Sequence, residues 1–179
     1  MKEANYIYTS ERLGYRQWSM SDLDWFADLC ANPEVMRHFP NTLDRSQSEA
    51  LIKRLISLYE IHGYTYYATE TLDDQRPIGF VGVAYQDYLN DQAPWQDIGW
   101  RLHPDYWGLG LATEGARACL QYCQSALSIN QVKAVAPLTN LPSINIMKKI
   151  GMQYVKTFKH PKLKDYPKLE ECVMYGVGI

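Results

Sequence analysis

Asp97-Ile-Gly-Trp-Arg-Leu-His-Pro-Asp-Tyr-Trp-Gly-Leu-Gly-Leu-Ala-Thr-Glu-Gly115 is the stretch on which the fold turns. Ile98, Trp100 and Leu102 alternate with Asp97, Gly99 and Arg101, the period of a strand with two unlike faces. Pro104 ends that strand because proline brings no amide to a ladder. Gly108 and Gly110 follow, and then Leu111, Ala112, Gly115, Ala116, Cys119, Leu120 and Cys123 recur at helical spacing. A strand therefore passes through a glycine turn directly into a helix. The first amides of such a helix have no intrahelical acceptors and sit at the positive end of its dipole, so the turn suits an anion. Glycines lacking a Cβ let a pyrophosphate come close to the backbone. The same residues also fit a plain strand-to-helix corner, since a short Gly-x-Gly run is a weak motif by itself.

Outward from this stretch, the pattern continues on both sides. Residues 13–17 form a short strand, and Ser21-Asp-Leu-Asp24 resembles a capping box ahead of a helix carrying Leu23, Trp25, Phe26 and Leu29. Asn32-Pro33 ends that helix. A second runs from about Ser46 to His62, with Leu51, Ile52, Leu55, Ile56 and Tyr59 on one side and Gly63 as its stop. Residues 64–70 and 78–85 are strands joined by a turn at residues 73–77. A polar connection with Asn90, Asp91 and Pro94 leads to the central strand. Beyond the long helix come a strand at 131–137, a short helix at 141–150 capped by Asn140, and closing strands at 152–159 and 172–177 around a charged loop. Strands and helices do not alternate strictly. The expected class is α/β of the α+β type: a single domain, 1–179, with a mixed, mostly antiparallel sheet flanked by helices.

Composition narrows the function. The chain has 179 residues, 46% of them hydrophobic, and a net charge of −2, so no basic excess points to nucleic acid. Cys30, Cys119, Cys123 and Cys172 show no Cys-x-x-Cys spacing, and Cys119 and Cys123 fall on the apolar side of a helix. His38, His62, His103 and His160 are scattered, so no metal is expected. Lys2, Glu3 and Asn5 interrupt any early apolar run, and no segment approaches the roughly 20 apolar residues of a membrane helix. A reduced, cytoplasmic protein without membrane partners is the expectation.

Trp107-Gly-Leu-Gly-Leu-Ala-Thr-Glu114 closely resembles the acetyl-CoA loop of the GNAT N-acetyltransferase superfamily, most of all the branch of ribosomal-protein N-terminal alanine and serine acetyltransferases. Asn140-Leu-Pro-Ser143, and then Lys148-Lys-Ile-Gly151-Met152, are similar to a second signature of that family, and Asn32-Pro-Glu-Val-Met36 to its first helical region. The resemblance covers almost the whole chain. One departure is Asp105, where many members carry Gln or Arg; its carboxylate cannot donate to phosphate.

The resemblance implies acetyl-CoA as cosubstrate. It implies contacts to it from Leu102, Tyr106, Trp107, Gly108, Leu109, Gly110, Leu111, Ala112, Thr113, Asn140 and Ser143. It also implies that the central strand and the next one diverge near Leu102, freeing backbone donors for an oxyanion. Ser143 is the implied proton donor to the departing thiolate, because the tyrosine many members use is replaced here by Met147. Asp97 is the preferred general base, ahead of Glu170, Glu171 and His103, since a strand carboxylate faces the thioester without a loop search. Trp95, Trp100, Tyr64, Tyr66 and Tyr67 divide between an acceptor cleft and the core. The expected acceptor is a protein or peptide N-terminus, with a small-molecule amine or a non-catalytic acetyl-CoA sensor as alternatives. A nucleotide module is disfavoured because no Lys-Ser/Thr follows the glycines. A homodimer is compatible with the resemblance.

Overall fold

The computed structural model describes residues 5–89 and 93–179; Lys2, Glu3, Asn90 and Asp91 lie outside the described residues. Strands β1 (Tyr8–Thr9) and β2 (Leu13–Arg16) come first, then helices α1 (Leu23–Ala31) and α2 (Arg45–His62). Strands β3 (Tyr66–Thr71), β4 (Pro77–Gln86) and β5 (Trp95–Leu102) precede helix α3 (Leu111–Ala126). Strand β6 (Gln131–Pro137), helix α4 (Leu141–Lys149), β7 (Gln153–Lys159) and β8 (Glu171–Gly178) complete the order. Among the described residues these strands form one sheet, ordered β1-β2-β3-β4-β5-β6-β8-β7, and every pairing but β5–β6 is antiparallel. The mixed, mostly antiparallel sheet expected from the sequence is what forms. Strand β1 was beyond reach because two residues carry no period.

Each sheet face has its own apolar core. Ile98 and Leu102 of β5 point to the α3 side, where Leu111, Ala116, Cys119 and Cys123 are buried against them. Gly115 brings α3 close: a Cβ there would stand 3.0 Å from the Tyr15 hydroxyl and 3.1 Å from Val81. Trp18, Phe26, Ile52, Leu55, Ala68 and Phe80 form the opposite core under α1 and α2. All four cysteines are free and buried.

The first capping box differs from the expected one. Ser19, not Ser21, is the cap; it opens a short 3-10 turn, Met20–Asp22, and Asp22 reaches back to the Ser19 amide. The register moves because Arg16 binds both oxygens of Asp22 at 2.8 and 2.9 Å while its Nε holds Glu70 at 2.8 Å. Asp24 is left exposed, paired with Arg45 at 2.6 Å. Asp44 caps α2 in a capping box with Gln47, and Gly63 ends it in a left-handed conformation.

The functionally decisive feature is the β5–β6 seam. Strand β4 pairs with β5 along its whole length, from Gln86↔Trp95 to Gly79↔Leu102. On its other side β5 meets β6 only at Asp97↔Lys133. Strand β6 instead follows its antiparallel partner β8 from Gln131↔Gly178 to Pro137↔Cys172. The divergence expected near Leu102 thus begins five residues earlier, and Asp97 sits at its closed end rather than at the start of β5. No helix among the described residues is long and apolar enough to cross a membrane.

Candidate active site

The glycine turn is held in place from both sides. The Trp107 indole donates to the Leu102 carbonyl at 2.8 Å, tying the loop to the strand end. Arg12 donates to the Leu109 carbonyl at 3.2 Å and binds Glu114 at 2.7 Å. Burial alone would raise the Glu114 pKa, but hydrogen bonds from Ser10 and Arg12 outweigh it and hold the carboxyl below its ordinary range. Gly108 and Gly110 have φ of 74° and 80°, a region that disfavours any side chain. Gly110 is the N-cap of α3 and offers no side-chain acceptor, and the first helical bond runs from the Glu114 amide to its carbonyl. Among the described residues the amides of Leu111, Ala112 and Thr113 have no acceptor, and all three residues line an open cleft.

This cradle opens into a cleft of about 720 Å³ at the seam. Asp97, Leu102, Tyr106, Trp107, Gly108, Gly110, Leu111, Ala112, Thr113, Asn140 and Ser143 all line it. Leu109 does not; it is 55% exposed on the outer side of the turn. His103 also lies outside, its Nδ1 accepting the Asp105 amide at 3.3 Å. Glu170 pairs with Lys159 at 3.4 Å and Glu171 opens β8, both away from the cleft. Asn140 caps α4 by accepting the Ser143 amide at 3.3 Å, and the Ser143 hydroxyl receives the Trp100 indole at 3.3 Å. Met147 is buried and lines the cleft with a thioether, so that position offers no proton donor.

Asp97 is half-buried, with a face toward the cleft. Burial drives its pKa up to about 7, tempered by Tyr66, Trp95 and the Val135 amide. The Tyr66 hydroxyl donates to Oδ2 at 2.5 Å, while Oδ1 is shut off from solvent without a partner of good geometry. Tyr66 itself stays protonated, because burial and the adjacent Asp97 charge push its pKa well up. Gly99 makes this contact feasible: a Cβ there would lie 3.1 Å from the Tyr66 ring as it crosses β5.

The sequence matches the acetyltransferase (GNAT) domain family over residues 12–153, a span that holds the strand, the glycine cradle and the β5–β6 seam. The chain belongs to that family. This N-acetyltransferase is 27% identical over 164 residues to an uncharacterized N-acetyltransferase, p20, of Bacillus licheniformis, covering 90% of this chain and 87% of that one. Its fold is similar to a GNAT acetyltransferase from Bacillus anthracis, with TM-score 0.78, 20% identity, and coverage of 95% and 96%. It is likewise similar to RimL, a ribosomal-protein α-N-acetyltransferase in complex with coenzyme A, with TM-score 0.77, 15% identity and 97% of each chain covered. Acetyl-CoA is the cosubstrate of this family. The open cradle at the α3 N-terminus fits its pyrophosphate on geometry and charge alike.

Around this GNAT core the structure adds residues the sequence did not single out. Of the aromatic candidates, Tyr66 and Trp100 line the cleft, whereas Tyr67 is in the α3-side core and Trp95 packs with Leu89 and Met174. Tyr64 packs at the margin of the α3-side core. The connection between α1 and α2 contributes Arg37, His38 and Phe39 to the wall. Arg37 stacks over the Trp107 ring at 5.2 Å. Burial, with Arg37 adjacent, lowers the His38 pKa. Arg101 lines the cleft on the Asp97 side of β5; strict alternation in 97–101 was the available signal.

Proposed function

We propose that this N-acetyltransferase acetylates the α-amine of a protein or peptide by direct attack in a ternary complex. One observation carries the reading: the anion cradle, Asp97 and Ser143 open into a single cleft along an unpaired strand edge. Leu111, Ala112 and Thr113 would hold the pyrophosphate through their amides, and Asn140 and Ser143 would flank the pantetheine arm. Acetyl-CoA supplies the acetyl group as a thioester. Asp97 accepts the proton of the incoming ammonium, directly or through one water, and its carboxyl near neutrality matches that task. The Tyr66 hydroxyl fixes the carboxylate orientation. The β5 edge beyond Asp97, which has no β6 partner, offers oriented donors for charge developing on the carbonyl oxygen. Ser143 gives its proton to the departing sulfur, with the Trp100 indole orienting its hydroxyl. RimL, by its name an α-N-acetyltransferase, supports the protein N-terminus.

A small-molecule amine is the second reading, favoured by His38 and Phe39, which wall the cleft from the α1–α2 side. Release of free CoA thiol with a panel of peptide and small amines tests both. Acetyl-CoA binding without thiol release for any amine would replace the enzyme reading by a sensor.

A further inference from the structure

Arg101 lines the cleft without a counter-charge among the described residues. It lies over the Phe39 ring at 4.2 Å and the Phe80 ring at 5.1 Å. Its Nη1 donates to the Cys30 sulfur at 3.3 Å, a weak acceptor, and its Nε is shut off from solvent with no partner. Among the described residues no carboxylate pairs with it; burial makes desolvation the main influence on it, and this lowers its pKa. Removing a cation from water without an anionic partner is costly, whereas a bidentate carboxylate would satisfy several of its five donors at once. Arg16, the other arginine drawn in from the surface, does find such partners, holding Asp22 and Glu70. Arg101 has none among the described residues, and it lines the cleft.

Arg37 and Glu34 line the same wall with opposite charges, His38 adds none near neutrality because burial and Arg37 lower its pKa, and Asp97 lies further in. Four residues of β5, about 13 Å between Cα atoms, separate Asp97 from Arg101 on one face. Between them Tyr66 stacks on Phe80 at 5.4 Å, an apolar floor with a base at one end and a cation at the other.

The geometry points to an acceptor amine that also carries a carboxylate, with Arg101 as the residue that seats that carboxylate. This rests on the acetyl-transfer reading and names its substrate class. The carboxylate is either an acidic side chain near a peptide N-terminus or the carboxylate of a free amino acid.

The test uses the full chain, acetyl-CoA and matched acceptors. Peptides beginning with Glu or Gln, amidated at their C-termini, form one pair; free amino acids and their α-amides form another; putrescine is the cationic control. Thiol release gives kcat/KM, and calorimetry of the same acceptors in the absence of acetyl-CoA gives binding. The carboxylate member should be favoured at least tenfold, and the pair in which this occurs identifies the source. Arg101→Gln should abolish that preference mainly through KM and lose the calorimetric signal, while acetyl-CoA affinity stays within twofold. Arg101→Lys should keep part of the preference. Equal use of both members, a preference for the amide or for putrescine, or an equal loss on both members in Arg101→Gln overturns the assignment and leaves acetyl transfer standing. Should Arg101→Gln fail to fold, the wild-type pairs and Arg101→Lys decide. Failure of every acceptor to release thiol, despite acetyl-CoA binding, removes the acetyl-transfer reading and this inference with it.

Discussion

Asp97→Asn separates the two costs that Asp97 imposes. The substitution keeps the acceptor for the Tyr66 hydroxyl but removes a charge from an enclosed position. A carboxyl raised to about 7 binds its proton in the folded state across a range where the unfolded chain has lost it. Between about pH 4 and pH 7 the native state therefore holds the extra proton, and stability falls as pH rises. About three units correspond to a ceiling of about 4 kcal/mol, complete above pH 7. Asp97→Asn should escape that loss, melting of order 10 °C higher than wild type at pH 8 and no higher at pH 4. Activity should move the opposite way. Wild-type kcat/KM should fall below pH 7 as Asp97 takes up its proton, and the variant should lose about 100-fold or more at neutral pH. Part of that loss should return as pH approaches the amine's own pKa. Melting curves and thiol-release rates between pH 4 and 9.5 read both. A flat variant-to-wild-type activity ratio from pH 6.5 to 9.5 would refute the base assignment, and a melting difference independent of pH would refute the buried charge.

Tyr66→Phe removes a hydrogen bond that lowers the Asp97 pKa, so the acidic limb of the activity profile should move above pH 7; a limb that stays put or moves down would contradict the contact. Gly110→Val forces a branched side chain into a φ of 80° at the helix N-cap and should weaken acetyl-CoA binding tenfold or more by calorimetry, with unchanged affinity in a folded variant counting against the cradle. Ser143→Ala should lower kcat about 10- to 100-fold with acetyl-CoA affinity nearly constant. A large affinity loss at normal kcat would make Ser143 a binding residue instead.

Local chemistry made most of the fold legible. The β5 alternation, the Gly108 and Gly110 turn, Gly63 after α2 and Asn140 before α4 each act over a few residues, so spacing reveals them. The Ser19 cap was obscured because Arg16, on another strand, claims Asp22. The length of the β5–β6 ladder was equally hidden, since it depends on how fully β6 follows β8. Arg101 shows the limit most clearly. Its period was readable, but the absence of a counter-ion is a property of three dimensions, where Cys30, Phe39 and Phe80 converge from separate elements. The remaining glycines follow the same logic: Gly99 reads as a strand weakness until the Tyr66 ring is seen passing over it.

A sheet joined across its middle at one ladder position has a fault line. Local opening follows such lines, because few backbone bonds must break there. Strands β1 to β5 and β6 to β8 are then two exchange units, bridged chiefly by the side chains beneath α3 and α4. Any molecule lying in the gap touches both units and resists their parting. At a concentration of 100 times its dissociation constant that adds about 2.7 kcal/mol to the folded state. Resistance of such a chain to proteolysis should therefore rise with the concentration of the molecule that fills the gap.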